Sequence, residues 1–278
     1  MPELPEVETV MRGLEKAVHG GVIEKADVRR KDLRVPFPKG LKEKLAGRRI
    51  MHFARRAKYI LAHLDNRDVL IMHLGMSGRM TIAKNHTALK HDHLILHMKD
   101  GQQVAFNDAR RFGLVYLMHE DEVAQHPAFK GLGPEPLGND FSGPILEQRL
   151  KGKKVAIKQA LLDQRVVAGV GNIYACEALY ESGISPKRAA GTVKGDKAEK
   201  LATAIRNVLN RAIKAGGSTL RDHRQPNGEL GYFQHEFKVY DCEGGQCALC
   251  DCEGGKGSVI KRIVQGGRST FYCPVHQK

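Results

Sequence analysis

Five of the six cysteines of this 278-residue chain lie beyond residue 241, and their spacing is that of metal ligands. Cys247 and Cys250 form a C-x2-C knuckle, and Cys273 with His276 forms C-x2-H. Two short turns of this kind present four soft or borderline ligands to one tetrahedral, structural zinc ion. The interval between the halves is 22 residues, and Cys252 offers a C-x4-C pairing with an interval of 20, so the residues alone leave Cys250 and Cys252 as alternatives. The first residues, MPELPEVETV, are acidic where a secretory leader would be basic, so export is not expected, and in that context clustered cysteines favour metal over disulfides. Between the halves, residues 259–265 (VIKRIVQ), a GGR turn and residues 269–272 (STFY) predict a β-hairpin with Arg268 near its tip. That is a cation placed to meet a phosphate. The competing reading is a zinc module that only stabilises the C-terminus.

The second chemical signal is at the start. Met1 precedes Pro2, a small residue that permits removal of the initiator and exposes a secondary amine. A terminal amine has a pKa about 2.5 units below that of lysine, so its reactive fraction at neutral pH is larger by a few hundredfold. Pro2 is therefore a better amine nucleophile than a lysine such as Lys58. Condensed with a sugar anomeric carbon it gives an iminium, an electron sink for elimination. Glu3 and Glu6 lie beside it as acid/base groups, and the helix start that follows would orient them.

These residues need a scaffold, and the chain is long enough for about two domains of ~150 residues. With 41% hydrophobic and 27% charged residues, and no apolar run of ~18, it reads as globular and not membrane-spanning. The net charge of +14 is uneven: residues 145–230 carry 16 basic against 8 acidic groups, whereas residues 1–144 carry 23 against 18 and residues 231–278 carry 6 against 5. A field of this sign places nucleic acid ahead of acidic membranes as partner. Apolar positions Val7, Val10, Leu14 and Ala17 predict an amphipathic helix over residues 5–17. Short apolar runs at 59–64, 69–74, 93–98, 103–106 and 113–118 predict an antiparallel β domain, a sandwich. The Gly/Pro-rich stretch 131–144 marks a boundary. Helical spacing then dominates to residue 216, with a long amphipathic segment near 197–215 and breaks at GVGN (169–172) and SGISP (182–186). The expected class is α+β, with a β-sandwich domain over 1–130, a helical domain over 131–236 and a metal-stapled finger over 237–278.

In order along the chain, MPELPEVE (1–8), RRAKY (55–59), HLGMSGR (73–79), KHDH (90–93), NDARRFG (107–113), GLGPEPLG (131–138), GVGNIYACEAL (169–179), GGSTL (216–220) and RSTFYC (268–273) resemble formamidopyrimidine-DNA glycosylase from end to end. The resemblance implies an N-terminal β-sandwich, a helix-two-turns-helix domain and a C-terminal zinc finger, with DNA between the two larger parts. It also implies excision of oxidised purines from duplex DNA, followed by β- and δ-elimination that cuts the strand.

On that resemblance the Pro2 nitrogen attacks the anomeric carbon, Glu3 is the acid/base, Lys58 assists β-elimination and Arg268 the δ step. Extruding a nucleotide leaves a hole in the stack worth a few kcal/mol. Met76, Arg110 and Phe112 match the trio that fills it: a flexible thioether, a planar donor for the orphaned cytosine and an aromatic wedge. His91, Arg110, Lys153, Asn172 and Arg268 would grip phosphates, and Gly169 and Gly171 let the backbone approach them. Residues 216–231 correspond to a mobile loop over the everted base. Ala109 stands where the family commonly has Pro, which leaves that loop's backbone freer. The implied partner is double-stranded DNA containing oxidised purines, bound by a monomer in the cytoplasm. Two alternatives stand beside this one. The first is an endonuclease VIII-like enzyme for oxidised pyrimidines, a branch that departs early from PELPEVE. The second is a silent DNA-damage binder, which would need no N-terminal proline.

Overall fold

The computed structural model describes residues 1–219, 226, 228–250 and 259–278, and the chain divides into two compact units. Unit 1 comprises residues 1–130 together with 215–232, and unit 2 comprises 131–214 together with 233–278.

Unit 1 opens with α1 (Leu4–Val18), whose apolar stripe is the one legible in the sequence. Eight antiparallel strands follow: β1 (Ile23–Val28), β2 (Ile50–Arg56), β3 (Tyr59–Leu64), β4 (Asp68–His73), β5 (Arg79–Lys84), β6 (Asp92–Met98), β7 (Gln102–Asn107) and β8 (Leu114–His119). A short helix, α2 (Leu41–Leu45), separates the first two, and another, α3 (Glu120–Val123), follows the last. The strands form two four-stranded sheets, ordered β1-β6-β7-β5 and β2-β3-β4-β8. Strand alternation places Ile60, Ala62 and Leu64 of β3, Leu70 and Met72 of β4, Leu94, Leu96 and Met98 of β6, and Val104 and Phe106 of β7 in one core. Val7, Val10, Leu14 and Val18 of α1 close it. The five expected strands match β3, β4, β6, β7 and β8. The strands that the apolar runs did not reveal, β1, β2 and β5, are all sheet edges, where solvent on one side admits polar residues.

Unit 2 is built from α4 (Gly143–Leu150), α5 (Ile157–Leu162), α6 (Asn172–Glu181) and α7 (Asp196–Lys214), followed by a hairpin of β9 (Lys261–Gln265) and β10 (Arg268–Tyr272). Helix α6 starts at the Asn of GVGN, and the Gln164 side chain sutures the turn before it: its Oε1 accepts from Gly169 N (2.8 Å) and its Nε2 donates to Val170 O (2.9 Å). The hairpin turns on Gly266 and Gly267, whose φ values of 56° and 72° suit a tight two-residue connection. Its core is small and shared with α6: Cys176 and Tyr180 pack with Val239, Ile260, Phe271, Cys247 and Cys273. The buried Glu177 carboxylate fastens the approach to the finger, accepting from the N–H groups of Lys238, Val239 and Tyr240 at 2.8 to 3.2 Å. Burial raises the pKa of Glu177 and outweighs those three donors.

Candidate functional site

On unit 1, Pro2 and Glu3 are buried where α1 begins, and Pro5 occupies the helix's first turn, where its missing N–H costs nothing. Glu3 N–H donates to Glu6 Oε2 at 2.9 Å. The other oxygen, Glu6 Oε1, accepts from Ser218 N (2.8 Å) and Ser218 Oγ (3.0 Å). Glu6 thus holds the backbone of Glu3 on one side and residue 218 on the other. Further along the helix, Glu8 pairs with Arg55 of β2 at 2.7 Å, the side chains being 12% and 8% exposed. This pair fastens α1 to the strand that leads into Lys58. It eluded the sequence reading because 47 residues separate its members; the charges in PEVE and RRAKY were its only trace.

Lys58 is 7% exposed and sits in the β2–β3 turn beside Ala57, whose φ is 52°. Across the sheet, the His73 ring packs tilted against Tyr59 with ring centroids 4.8 Å apart. Burial, reinforced by the charges of Lys58 and Arg34, pushes His73 down to about 4, so it is a neutral imidazole at physiological pH. Its Nδ1 accepts Gly75 N–H at 3.0 Å, at the root of the Met76 loop.

Met76 and Phe112 project from loops at the sheet ends and are 39% and 41% exposed. Arg110 is exposed beside them, its guanidinium 5.0 Å from the centre of the Phe112 ring. The two loops touch at Gly75, where a Cβ would lie 2.4 Å from the Phe112 carbonyl carbon. Both that clearance and its φ of 63° require glycine. His91, half-buried on the neighbouring loop, lies edge-on to His93 with ring centroids 6.3 Å apart. Of the segment 216–231, residues 220–225 and 227 lie outside the described residues. Its flanks are tied by Gly231 N to Thr219 Oγ1 (2.8 Å) and by Ile82 N of β5 to Pro226 O (3.1 Å).

On unit 2, Asn172 is the first residue of α6 and donates from Nδ2 to Ser269 O at 3.0 Å, next to Arg268. Arg268 itself is exposed and pairs across the hairpin with Gln265, as expected of a residue at the tip. Lys153 is half-buried in the turn after α4.

The ligand atoms of Cys247, Cys250 and Cys273 all lie within 4.8 Å of one another. Cys250 Sγ is 3.3 Å from Cys273 Sγ, and Tyr180 Oη is 3.2 Å from Cys247 Sγ. Desolvation and the neighbouring thiols push Cys250 up to about 12. Cys247 is held below its ordinary value: burial opposes ionisation, and hydrogen bonds from Tyr180, Leu249 and the other thiols outweigh it. Thiols crowded so that they resist joint ionisation are a donor set that a soft dication fits. His276 stands outside this group. Its Nε2 lies 2.9 Å from Tyr180 O and its ring packs edge-on to Tyr180, while its backbone N–H points at Cys273 Sγ, 3.3 Å away. Cys252 is outside the described residues. Among those described, no helix is long and apolar enough to cross a membrane.

Comparison with known proteins gives the same picture over the whole length. Residues 1–115 match the formamidopyrimidine-DNA glycosylase N-terminal domain and residues 132–224 the formamidopyrimidine-DNA glycosylase H2TH domain. A formamidopyrimidine-DNA glycosylase of Dinoroseobacter shibae is 54% identical, covering 100% of both chains. Among solved structures, a Lactococcus lactis Fpg variant in complex with DNA containing Fapy-dG matches with a TM-score of 0.90 and 34% identity, covering 100% of both chains. The complex of Lactococcus lactis Fpg with DNA containing an abasic site matches with a TM-score of 0.89 and 34% identity over 99% of each chain.

Proposed function

This chain belongs to the formamidopyrimidine-DNA glycosylase family, and from that premise we propose that it excises oxidised purines from duplex DNA and then cuts the strand, acting as a monomer. The observation that carries the proposal is the buried Pro2-Glu3 start of α1, held through Glu6 and through the Glu8–Arg55 pair, at the head of a full-length match. Loss of Met1 frees the Pro2 nitrogen. Its lone pair attacks the anomeric carbon, the bond to the damaged base breaks, and the base leaves with a proton. Glu3 supplies the proton that opens the sugar ring. The resulting iminium withdraws electrons from the adjacent carbon, which loses a proton as the 3′-side phosphate departs; a second elimination releases the 5′-side phosphate. Lys58 serves the first elimination and Arg268 the second. Water returns the proline to its free amine.

Met76, Arg110 and Phe112 take the space of the everted nucleotide, with Arg110 offered to the orphaned cytosine. His91, Lys153 and Asn172 join Arg110 and Arg268 on the phosphates. The loop 216–231 covers the base. Cys247, Cys250 and Cys273 hold one zinc ion, which supplies no bond-making chemistry and serves to fold the finger that carries Arg268. His276 is the proposed fourth ligand: with Nε2 engaged by the Tyr180 carbonyl, Nδ1 is the nitrogen left for a metal. Cys252 is the alternative.

The test is a duplex with one 8-oxoguanine opposite cytosine, followed for released base and for strand ends. The proposal expects free 8-oxoguanine and a gap bearing phosphate on both sides. Binding without base release would leave only a damage-binding protein, and a stronger preference for an oxidised pyrimidine would move the chain to the endonuclease VIII-like branch.

A further inference from the structure

Asp108 lies between the Met76 loop and the Arg110–Phe112 loop, is fully buried, and uses both oxygens of its carboxylate to hold the two together. Its Oδ1 accepts from Ser77 Oγ at 2.7 Å, and its Oδ2 accepts from Gly113 N at 2.7 Å. Ser77 Oγ, having donated to the carboxylate, accepts Arg110 N–H at 3.2 Å. The Asp108 carbonyl accepts from Arg111 N (3.3 Å) and lies 2.8 Å from His93 Nε2, and its N–H donates to His91 O at 2.9 Å. Arg111 holds a left-handed φ of 59° in this turn, a conformation that a non-glycine residue keeps only when its surroundings enforce it.

A carboxylate accepting charge-assisted hydrogen bonds from both loops is worth more than neutral pairs and fixes direction as well as distance. Ala109 adds no restraint of its own, because alanine leaves φ free where a proline would lock it. We propose that Asp108, acting through Ser77, is a positioning residue that presets the Met76, Arg110 and Phe112 side chains as one rigid wedge, and that reading of the base opposite the lesion depends on it. The inference rests on the roles assigned above to those three side chains. It adds that their geometry is built before DNA arrives. A wedge ordered only on binding would spend part of its interaction energy on ordering loops, and would discriminate less between opposite bases.

The experiment compares wild type, Ser77→Ala, Ser77→Thr, Asp108→Asn and Arg110→Ala in three measurements. The first is excision of 8-oxoguanine from duplexes with cytosine or adenine opposite. The second is borohydride trapping on a single-stranded abasic oligonucleotide, which has no void to fill. The third is amide hydrogen exchange over residues 74–80 and 108–115. Ser77→Ala and Asp108→Asn are expected to speed exchange in both loops, slow duplex excision about tenfold and narrow the cytosine-over-adenine ratio toward that of Arg110→Ala, with single-stranded trapping within about twofold of wild type. Ser77→Thr, which keeps the hydroxyl, is expected to restore all three. Faster exchange with the ratio unchanged would overturn the positioning role while leaving the roles of the three side chains standing. Equal losses on duplex and single strand would also overturn it, by showing a general structural effect. An Arg110→Ala protein that keeps the full ratio would bring down the assigned role of Arg110 and this inference with it.

Discussion

The sandwich of unit 1 and the finger of unit 2 each hold a cation proposed to serve elimination, and they do so by opposite means. Lys58 stands on a strand turn backed by a continuous apolar core drawn from α1 and both sheets, with Phe106 fully buried. Arg268 stands on a hairpin whose core is a few residues shared with α6, three of its cysteines being the candidate ligands. A core of the first kind supports its site by itself. The second has little apolar burial to set against the entropy of ordering its loops, and the proposed zinc would supply the missing cross-link.

That contrast can be broken most sharply by removing the metal. Chelation, or Cys273→Ser, is expected to weaken DNA binding at least tenfold, about 1.4 kcal/mol, and to slow the second elimination, while unit 1 keeps its fold and traps single-stranded abasic DNA. Zinc content, binding titrations and strand-end analysis check this; loss of the sandwich's cooperative unfolding on chelation would erase the distinction. The reciprocal change is Phe106→Ala, which leaves a cavity between the sheets and is expected to cost about 3 to 5 kcal/mol. Its denaturation midpoint should fall by on the order of 10 °C with zinc content unchanged.

A smaller effect follows from His73. Its pKa is depressed to about 4 when folded, by burial first and then by Lys58 and Arg34, whereas the unfolded chain titrates near its ordinary 6.5. The stabilising contribution of the neutral ring is therefore complete above that ordinary value and is lost as pH falls toward 4, by on the order of 3 kcal/mol. Urea midpoints at pH 7 and pH 5 should differ for wild type and differ by less in His73→Gln, the remainder including half-buried His63, whose pKa is also lowered. The smallest change sharpens the picture of the wedge loop: Ala109→Pro is expected to add about 0.5 to 1 kcal/mol by restricting the unfolded chain, read as a higher urea midpoint.

Most of the architecture was legible because period-2 and period-3.6 patterns are local. The runs at 59–64 and 93–98 became β3 and β6 almost residue for residue, and the stripe on residues 5–17 became α1. Edge strands β1, β2 and β5 were not legible, since half-solvated strands carry no continuous apolar signal. The motif residues of the site were visible one by one. Their supports were not: Glu8 with Arg55, Glu6 with Ser218, Asp108 with Ser77 and Glu177 with residues 238–240 are polar pairs whose meaning arises only when distant segments meet in a buried place. His276 shows the same limit within the finger. Spacing makes it a ligand candidate equal to the cysteines, but only the fold shows that its Nε2 is engaged by a backbone carbonyl 96 residues away, which leaves Nδ1 as the nitrogen for a metal.

The claim on which the chemistry depends is that the nucleophile is the amine of Pro2 once Met1 is gone. Borohydride reduction during turnover on a duplex with one 8-oxoguanine opposite cytosine joins protein to DNA wherever the iminium forms, and peptide mapping locates the bond. The account predicts a single cross-link at residue 2 in protein beginning with Pro2, and none in protein that keeps Met1 or carries an N-terminal extension, although both bind the duplex. Normal trapping by the extended protein, or a cross-link on Lys58, would contradict it.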